Sequence, residues 1–316
     1  MRSNRYLIYF AKRIWQWFWM KLMDGFAPSD KNGSYKRPKG LIPPKKNESD
    51  LFQKSNHYLI IGSTCPWSHR TLLLYKLKNL SENLSIIFLK PNFDQGEWIF
   101  KERFKGFHSL ENLYKKSKFK SQSRATVPVL IKYENNKFNI ISNESSQILE
   151  LLNSIKFDNK NNISIKECNF ELKDLITNEI NDGVYKCGFA RNQEAYESAS
   201  HSLFSALKKV DKMLIHNKGP WICGEDLTYA DLYLFPTLIR WELIYSKIFK
   251  CTEEEITEFR NIMQWRLNFF NLPGVQKTCY ENEWNEDYNK ALFPLNPSQI
   301  VPIQKPLEQI IFDSLG

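Results

Sequence analysis

Hydrophobic and polar positions along residues 55–153 follow the order of an α/β domain. Short apolar runs predict strands, and apolar residues at helical spacing predict helices. The predicted strands are 57–62, 84–90, 127–133 and 137–142, and the predicted helices are 66–80 and 143–154. The polar segment 91–126 is longer than this order requires, so we interpret it as an inserted loop.

After a polar, asparagine-rich linker at 154–165, the apolar spacing becomes helical. The predicted helices are 166–182, 192–217, 228–247 and 253–271. Thr228 and Asp231 have the spacing of a capping box, which we interpret as a folding signal rather than as chemistry. The chain beyond these helices is rich in proline and is predicted to return to loop. The sequence thus predicts an all-helical domain over 166–292 and a C-terminal tail over 293–316.

Residues 1–54 are predicted to form a helix, over 1–23, and an irregular leader. The helix contains many large apolar side chains but is interrupted by Lys12, Arg13 and Lys21, so it is too charged to span a membrane. We expect it to pack on its own protein or on a second subunit. Contact with a membrane surface is the alternative.

The composition is that of a folded protein, with 42% hydrophobic and 25% charged residues, and 316 residues suffice for two domains. The net charge of +9 permits a phosphate-rich partner, but no recognition motif accompanies the scattered lysines, so nucleic-acid binding is not expected. The six cysteines lack the spacing of a zinc site, and neither a metal site nor a disulfide scaffold is predicted. No secretory signal is evident, and a reducing cytoplasm fits best.

Cys65 is the candidate nucleophile. It follows a predicted strand and precedes Pro66, and proline is favoured in the first turn of a helix. Cys65 therefore lies at a helix N-terminus, where unpaired backbone N–H groups and the helix dipole stabilise an anion. We predict that this sulfur is a thiolate at neutral pH. An inert buried cysteine is the alternative interpretation.

Ser68 stands where a dithiol oxidoreductase would carry its second cysteine. A disulfide within this helix is therefore excluded, and a mixed disulfide on Cys65 must be resolved by an external thiol. The sequence predicts a one-cysteine mechanism. His69 and Arg70, one turn further on, could add positive charge near the sulfur, but we expect them on the helix surface.

Two further motifs converge on the same site. In "TVPVL", Pro128 begins a strand, and in this topology we expect its peptide bond to be cis, with the Val127 backbone beside the sulfur. In "SNESSQIL", Glu144 and Ser145 lie in the first turn of a helix, where N–H groups bind an anion and the Glu144 carboxylate binds a cation. Together they match the amino-acid end of a zwitterionic ligand. Helix capping alone is the simpler interpretation of the second motif.

The first domain has the element order of a thioredoxin-like domain, and with an all-helical second domain the chain resembles the glutathione transferases. The cysteine at the helix start narrows this resemblance to the cysteine-type classes. Specific motifs resemble the Xi class, the S-glutathionyl-hydroquinone reductases. They run in order from about residue 58 to 302: "CPWSHRTLLLYKLKNL", "VPVL", "SNESSQIL", "GVYKCGFARNQEAYE", "LTYADLYLFPTLIRWELIYSKIFKC" and "NPSQIVP".

The resemblance implies both the reaction and the site. A Cys65 thiolate would attack the sulfur of a glutathionylated hydroquinone and release the quinol, and a second glutathione would restore the thiolate and leave as oxidised glutathione. It also implies glutathione as co-substrate, an aromatic glutathione conjugate as second substrate, no metal, and a homodimer. The implied glutathione contacts are Trp98, Arg124, Val127, Glu144 and Ser145, and the implied substrate-pocket residues are Tyr185 and Tyr288.

Three positions depart from the family's pattern. Ser68 replaces the usual alanine, Arg124 lacks the usual preceding glycine, and the residues flanking Tyr288 in "EDYNKALFPLNP" differ from those around the family's paired tyrosines. The last departure concerns the identity of the substrate more than the thiol chemistry. Two alternatives remain open: an omega-like thiol transferase or dehydroascorbate reductase that uses the same cysteine, and a non-catalytic transferase-fold protein docked by residues 1–23.

Overall fold

The computed structural model describes residues 3–38, 56–82, 84–117, 124–155, 163 and 165–315. Much of the predicted leader and of the predicted linker lies outside these described residues. The described part comprises a sheet with helices on both faces, followed by a helical region, in agreement with the predicted fold class.

One mixed six-stranded sheet forms the first domain, with the spatial order β4-β3-β2-β1-β5-β6. β1 pairs in parallel with β2, and all other neighbours are antiparallel. The strands are β1 His57–Gly62, β2 Ser85–Asn92, β3 Glu97–Phe104, β4 Phe107–Ser109, β5 Val129–Glu134 and β6 Lys137–Ser142. β1 and β6 have the predicted bounds, because both combine β-branched or aromatic residues with clear turn signals.

The inserted segment is more ordered than the predicted loop. It supplies β3, β4 and a helix, α3 (Leu110–Lys116), that covers one face of the sheet. The ring centroid of Phe107 lies 5.0 Å from that of Phe138 on β6, although β4 and β6 are opposite edges of the sheet. The sheet therefore curls, so that its edge strands approach each other.

Two helices cover the other face of the sheet, α2 (Pro66–Leu77) and α4 (Ser145–Ser154). The consecutive residues Leu72, Leu73 and Leu74 are all buried, because α2 lies between the sheet and the helical domain. A helix that is buried all round needs apolar residues on every side. Each of these leucines contributes about 1.5–3 kcal/mol by burial.

The central helices of the helical domain are found where they were predicted, whereas the C-terminal region differs from the predicted loop. The predicted helices 166–182 and 228–247 are each interrupted by a π-helical segment, and the proline-rich region predicted as loop contains two helices. The elements are α5 Phe170–Asp174, π-helical Leu175–Asn181, α6 Gly183–Phe189, α7 Gln193–His216, α8 Tyr229–Leu238, π-helical Trp241–Tyr245, α9 Arg260–Phe270, α10 Glu281–Ala291 and α11 Leu307–Asp313, with single 3-10 turns at Ile256–Glu258 and Gln276–Thr278. One further 3-10 turn, Leu80–Glu82, follows α2 in the first domain.

The N-terminal helix α1 (Ser3–Phe26) packs on its own chain at one end only. Met23 is fully buried, and the Trp19 indole donates a hydrogen bond to the Pro294 carbonyl at 2.9 Å. From Arg5 to Phe18 every residue is exposed. The expected packing against the protein itself is therefore found only in the last turns. Across the part of the chain that is described, no helix has the length and apolar content to cross a membrane.

Candidate active site

Cys65 occupies the position that the sequence predicts. It is the N-cap of α2, with φ −73° and ψ 120°, and Pro66 follows in the first helical turn. The Cys65 thiol lies 3.5 Å from the carbonyl oxygen of Val127, and the Val127-Pro128 peptide bond is cis, as expected. Cys65 is partly exposed, which is not the burial that the inert-cysteine interpretation requires.

Helix α10 supports the turn that carries Cys65. The Trp284 indole donates to the Ser63 carbonyl at 3.0 Å. The hydroxyls of Ser63 and Thr64 donate to the carboxylates of Glu283 and Asp287. Burial raises the pKa of Asp287 to about 6, and the neighbouring Glu283 adds to this effect, while the Thr64 hydrogen bond opposes it. A carboxyl group with a pKa of about 6 thus lies at the cysteine turn.

A cavity of about 430 Å³ lies beside this turn, between the two domains. This volume is in the range of small-molecule sites. Three of the implied glutathione contacts, Val127, Glu144 and Ser145, line it. Glu144 is the N-cap of α4, but its side chain makes no capping hydrogen bond. The capping interpretation therefore does not account for the Glu144 carboxylate.

A buried arginine places positive charge in the wall of this cavity. Arg70 is only 3% exposed, so the expectation of a surface position was wrong, as it was for His69. The Arg70 guanidinium lies 3.5 Å from the Ser145 hydroxyl and 4.5 Å from the ring centroid of Tyr233. Burial lowers the pKa of Arg70 to about 10, so the side chain remains protonated at neutral pH. The helix end at Ser145 and this cation together favour an anionic group.

The residues after α1 contribute to the same cavity. The guanidinium of Arg37 stacks over the Trp67 ring, 3.1 Å from its centroid, and lies 3.4 Å from the Asp182 carboxylate. Burial raises the pKa of Asp182, and Arg37 opposes that shift. The leader therefore reaches the site, a contact that nothing in its irregular sequence indicated.

Three tyrosines form a hydroxyl cluster next to Trp67. The Tyr185 and Tyr288 hydroxyls are 2.7 Å apart, and the Tyr245 hydroxyl lies 3.4 Å from that of Tyr288. The Trp67 and Tyr185 ring centroids are 5.2 Å apart. Burial raises the pKa of all three phenols, so they are protonated hydrogen-bond donors at neutral pH. The sequence indicated Tyr185 and Tyr288 but not Tyr245, which lies in the π-helical segment after α8.

The two remaining implied contacts are placed differently. The Trp98 ring packs against Gly62, where an added β-carbon would come within 2.5 Å of it. It also borders the same hydrophobic cluster as Cys65. Arg124 is exposed and close enough to Tyr35 to lower the pKa of that phenol, against the larger effect of burial. Within the described ranges, no group of three or more His, Cys, Asp or Glu side chains has the arrangement of a metal site.

The sequence of this chain is similar to those of known glutathione-dependent proteins. Residues 64–155 match the N-terminal domain of the glutathione S-transferases, and residues 193–267 match their C-terminal domain. The glutathionyl-hydroquinone reductase PcpF of Sphingobium chlorophenolicum is 30% identical over 265 residues, which are 79% of this chain and 83% of PcpF.

Two solved structures are similar along most of their length. The glutathione S-transferase Xi of Phanerochaete chrysosporium has a TM-score of 0.79 at 28% identity, covering 88% of this chain and 94% of the other. The glutathione-bound structure of YqjG, a glutathione transferase homologue of Escherichia coli K-12, has a TM-score of 0.72 at 28% identity, covering 88% of this chain and 96% of the other. The cavity beside Cys65 thus belongs to a fold that binds glutathione in a similar protein.

Proposed function

The chain belongs to the Xi-class glutathione transferases, and from this premise we propose that it is a glutathione-dependent reductase of glutathionyl-hydroquinones. The observation that carries the proposal is the position of Cys65. Its partly exposed sulfur lies 3.5 Å from the Val127 carbonyl, between a cavity with buried positive charge and an aromatic cluster with three hydroxyls.

In this proposal the cavity holds the glutathione portion of the substrate. The backbone of Val127 pairs with the cysteinyl residue of glutathione. The Glu144 carboxylate binds the α-ammonium group, and the Ser145 helix end with Arg70 binds the α-carboxylate. Trp98 and Arg124, which the resemblance implies as contacts, complete the proposed site. These groups hold the glutathione sulfur next to Cys65.

The first step transfers glutathione to the enzyme. The Cys65 thiolate attacks the glutathione sulfur, a sulfur–sulfur bond forms, and the bond between sulfur and the aromatic carbon breaks. The electron pair of that bond remains on the ring carbon, which takes up a proton. The sulfurs are oxidised to a disulfide and the ring carbon is reduced. The phenols of Tyr185 and Tyr288 hydrogen-bond the oxygen of the departing quinol.

The second step restores the enzyme. The thiolate of a second glutathione attacks the mixed disulfide on Cys65, leaves as oxidised glutathione and regenerates the Cys65 thiolate. Ser68 supplies no competing thiol at this helix. We also propose a homodimer in the cytoplasm, and light scattering coupled to gel filtration measures the oligomeric state.

Mass spectrometry of the protein after incubation with glutathionyl-menadiol tests the proposal. We expect one glutathione adduct, on Cys65, and one equivalent of released quinol. Cys65→Ser should abolish both, whereas Cys223→Ser, which removes an exposed cysteine, should retain both. An adduct on Cys223 alone, or turnover of dehydroascorbate without quinol release from the conjugate, would contradict the proposal.

A further inference from the structure

The first five turns of α1 present large apolar side chains to solvent. Leu7 is 70% exposed, Phe10 66%, Trp17 58% and Phe18 53%. At about 1.5 Å per residue the helix is about 36 Å long, and only its last turns contact the rest of the chain. This surface is not used by the fold or by the proposed active site.

The exposed residues divide into two sides of the helix. At 3.6 residues per turn, a broad apolar side contains Tyr6, Leu7, Ile8, Phe10, Ile14, Trp15, Trp17, Phe18 and Leu22. The opposite, narrower side contains Arg5, Tyr9, Lys12, Arg13 and Gln16, with Met20 as its apolar member. Lys21 lies within the apolar side, where its long stem can reach past apolar groups to water. The helix is therefore amphipathic over its exposed length.

The side of α1 that contacts the protein in its last turns is the continuation of the polar side. Met23, which is buried against the chain, lies five turns after Arg5 and therefore on the same side of the helix. The apolar side consequently points away from the protein. A helix that packs only on its own domain has its apolar side toward the protein and its polar side toward solvent.

The positive charge of α1 distinguishes between two partners for its apolar side, a second copy of the chain and a lipid surface. From Arg5 to Met23 the helix carries four basic residues and no acidic residue. The following acid, Asp24, lies 3.7 Å from Arg191 of the protein body. Pairing with a second copy would bring two such helices together with no carboxylate to neutralise them. An anionic lipid surface supplies negative headgroups for the basic side and an acyl boundary for the aromatic and aliphatic side.

We propose that α1 lies in the interface of an anionic lipid bilayer, with its apolar side inserted and its basic side at the headgroups. Tryptophan and tyrosine favour this boundary because each combines an apolar ring with a polar group. The interaction would hold the enzyme at a membrane without a spanning segment.

Vesicle flotation with the full-length protein tests this proposal. Wild type should float with vesicles of phosphatidylcholine mixed with phosphatidylglycerol, and much less with pure phosphatidylcholine. Leu7→Ser with Phe18→Ser should weaken binding by at least about tenfold per side chain. Lys12→Gln with Arg13→Gln should weaken it by about fivefold per charge. The matched control, Gln16→Ser, changes an uncharged residue on the polar side of the turn that also carries Phe18, and it should bind nearly as wild type does.

Thermal melting by circular dichroism verifies that each variant is folded, and light scattering reports its oligomeric state. The proposal is overturned if wild type does not float, or if Gln16→Ser loses as much binding as Leu7→Ser with Phe18→Ser. A second outcome also overturns it: wild type is a dimer, and Leu7→Ser with Phe18→Ser converts it to monomers but floats as wild type does. That result would assign the apolar side to a second copy of the chain.

Discussion

Tyr288 connects the cysteine turn to the aromatic cluster, because it lies on the helix that also carries Trp284 and Asp287. Its hydroxyl is 2.7 Å from that of Tyr185. Tyr288→Phe removes a protonated donor from the proposed quinol site, and we expect kcat for a glutathionyl-hydroquinone to fall by roughly 10²-fold. The rate at which iodoacetamide alkylates Cys65 should change little.

The matched control for this prediction is Tyr245→Phe, which deletes a hydroxyl at the longer distance of 3.4 Å from Tyr288. It should reduce kcat less than Tyr288→Phe does. Equal losses for the two variants, or a parallel loss of Cys65 alkylation, would mean that Tyr288 supports the turn rather than the substrate.

Asp287 makes stability depend on pH in a direction opposite to that of most carboxylates. Its pKa is about 6, raised by burial above the ordinary value of 3.8. The folded protein therefore binds this proton more readily than the unfolded chain, and the stabilisation present below about pH 4 is lost as pH rises toward about 6. The side chain in Asp287→Asn cannot ionise. As pH rises across this interval, the free energy of unfolding of wild type, measured by urea titration, should therefore fall relative to that of Asp287→Asn.

Thr64→Val provides the companion measurement. The Thr64 hydroxyl donates to the Asp287 carboxylate and lowers its pKa, so removing the hydroxyl should move the pH-dependent change to higher pH. If the difference between Asp287→Asn and wild type were constant with pH, the carboxylate would not titrate where we place it.

Single residues were predictable from sequence where a local motif fixes their position. Cys65 next to Pro66 and Val127 next to Pro128 are such motifs, and the structure places them as expected. Arg70 and Arg240 were not predictable, because a charged residue in a helical sequence is usually on the surface. Both are buried here, since each finds partners on elements that are distant in sequence.

At the scale of elements, the start of α8 is held by one carboxylate. Asp231 is fully buried and accepts hydrogen bonds from the Thr228 and Ile222 N–H groups and from the Trp265 indole, at 2.8–3.0 Å. The predicted capping box is therefore confirmed, and it also ties α8 to α9. Asp231→Ala removes the acceptor of these three N–H groups and of the Thr228 hydroxyl, 3.0 Å away, and we expect a loss of at least about 3 kcal/mol in the free energy of unfolding.

The control is the same substitution at Asp226, a nearby exposed residue whose carboxylate forms only an ion pair with Lys166. Asp226→Ala should cost no more than about 1 kcal/mol. Urea denaturation measures both variants. Similar losses at the two positions would contradict the role we assign to Asp231.

Elements were predictable where a local signal is strong, as for β1, which is a short apolar run, and for α2, which has Pro66 in its first turn. Helix α10 was missed because its sequence, "ENEWNEDYNKA", is polar apart from Trp284 and Tyr288 and lies among prolines. These two aromatic residues are one turn apart, which is too few for a periodic signal. Strand β3 was not predicted because its formation depends on pairing with β2. The sequence does not reveal which residues face each other in that pairing.

At the scale of the whole molecule, the two domains share one hydrophobic cluster, in which α2 and α4 pack with the helical domain. A polar bridge crosses the same interface. The His69 imidazole on α2 lies 2.9 Å from the Arg240 guanidinium and 2.8 Å from the Thr278 hydroxyl. Arg240 also stacks over the Trp284 ring, 3.7 Å from its centroid. The turn with Cys65 is thus connected to both domains.

The bridge fixes the protonation of His69. Arg240 can only donate, so it donates to Nδ1 of the imidazole, and the Thr278 hydroxyl, which donates to the Val275 carbonyl at 2.6 Å, accepts from Nε2–H. The ring is therefore neutral. Burial lowers the pKa of His69 well below its usual 6.5, and the charge on Arg240 adds to that effect.

This neutral, buried imidazole should make the folding of the whole molecule sensitive to mild acid. Below about pH 6.5 the unfolded chain takes up a proton that folded His69 does not, so stability is lost as pH falls, by up to about 1.4 kcal/mol per pH unit. His69→Gln cannot take up this proton, so between pH 7 and about 5.5 wild type should lose stability relative to it. Thr278→Val removes a partner but keeps the imidazole, and should retain the wild-type pH dependence at a lower overall stability. Parallel pH profiles for wild type and His69→Gln in urea unfolding would show that folded His69 takes up this proton as readily as the unfolded chain does, and would contradict a neutral ring held by Arg240.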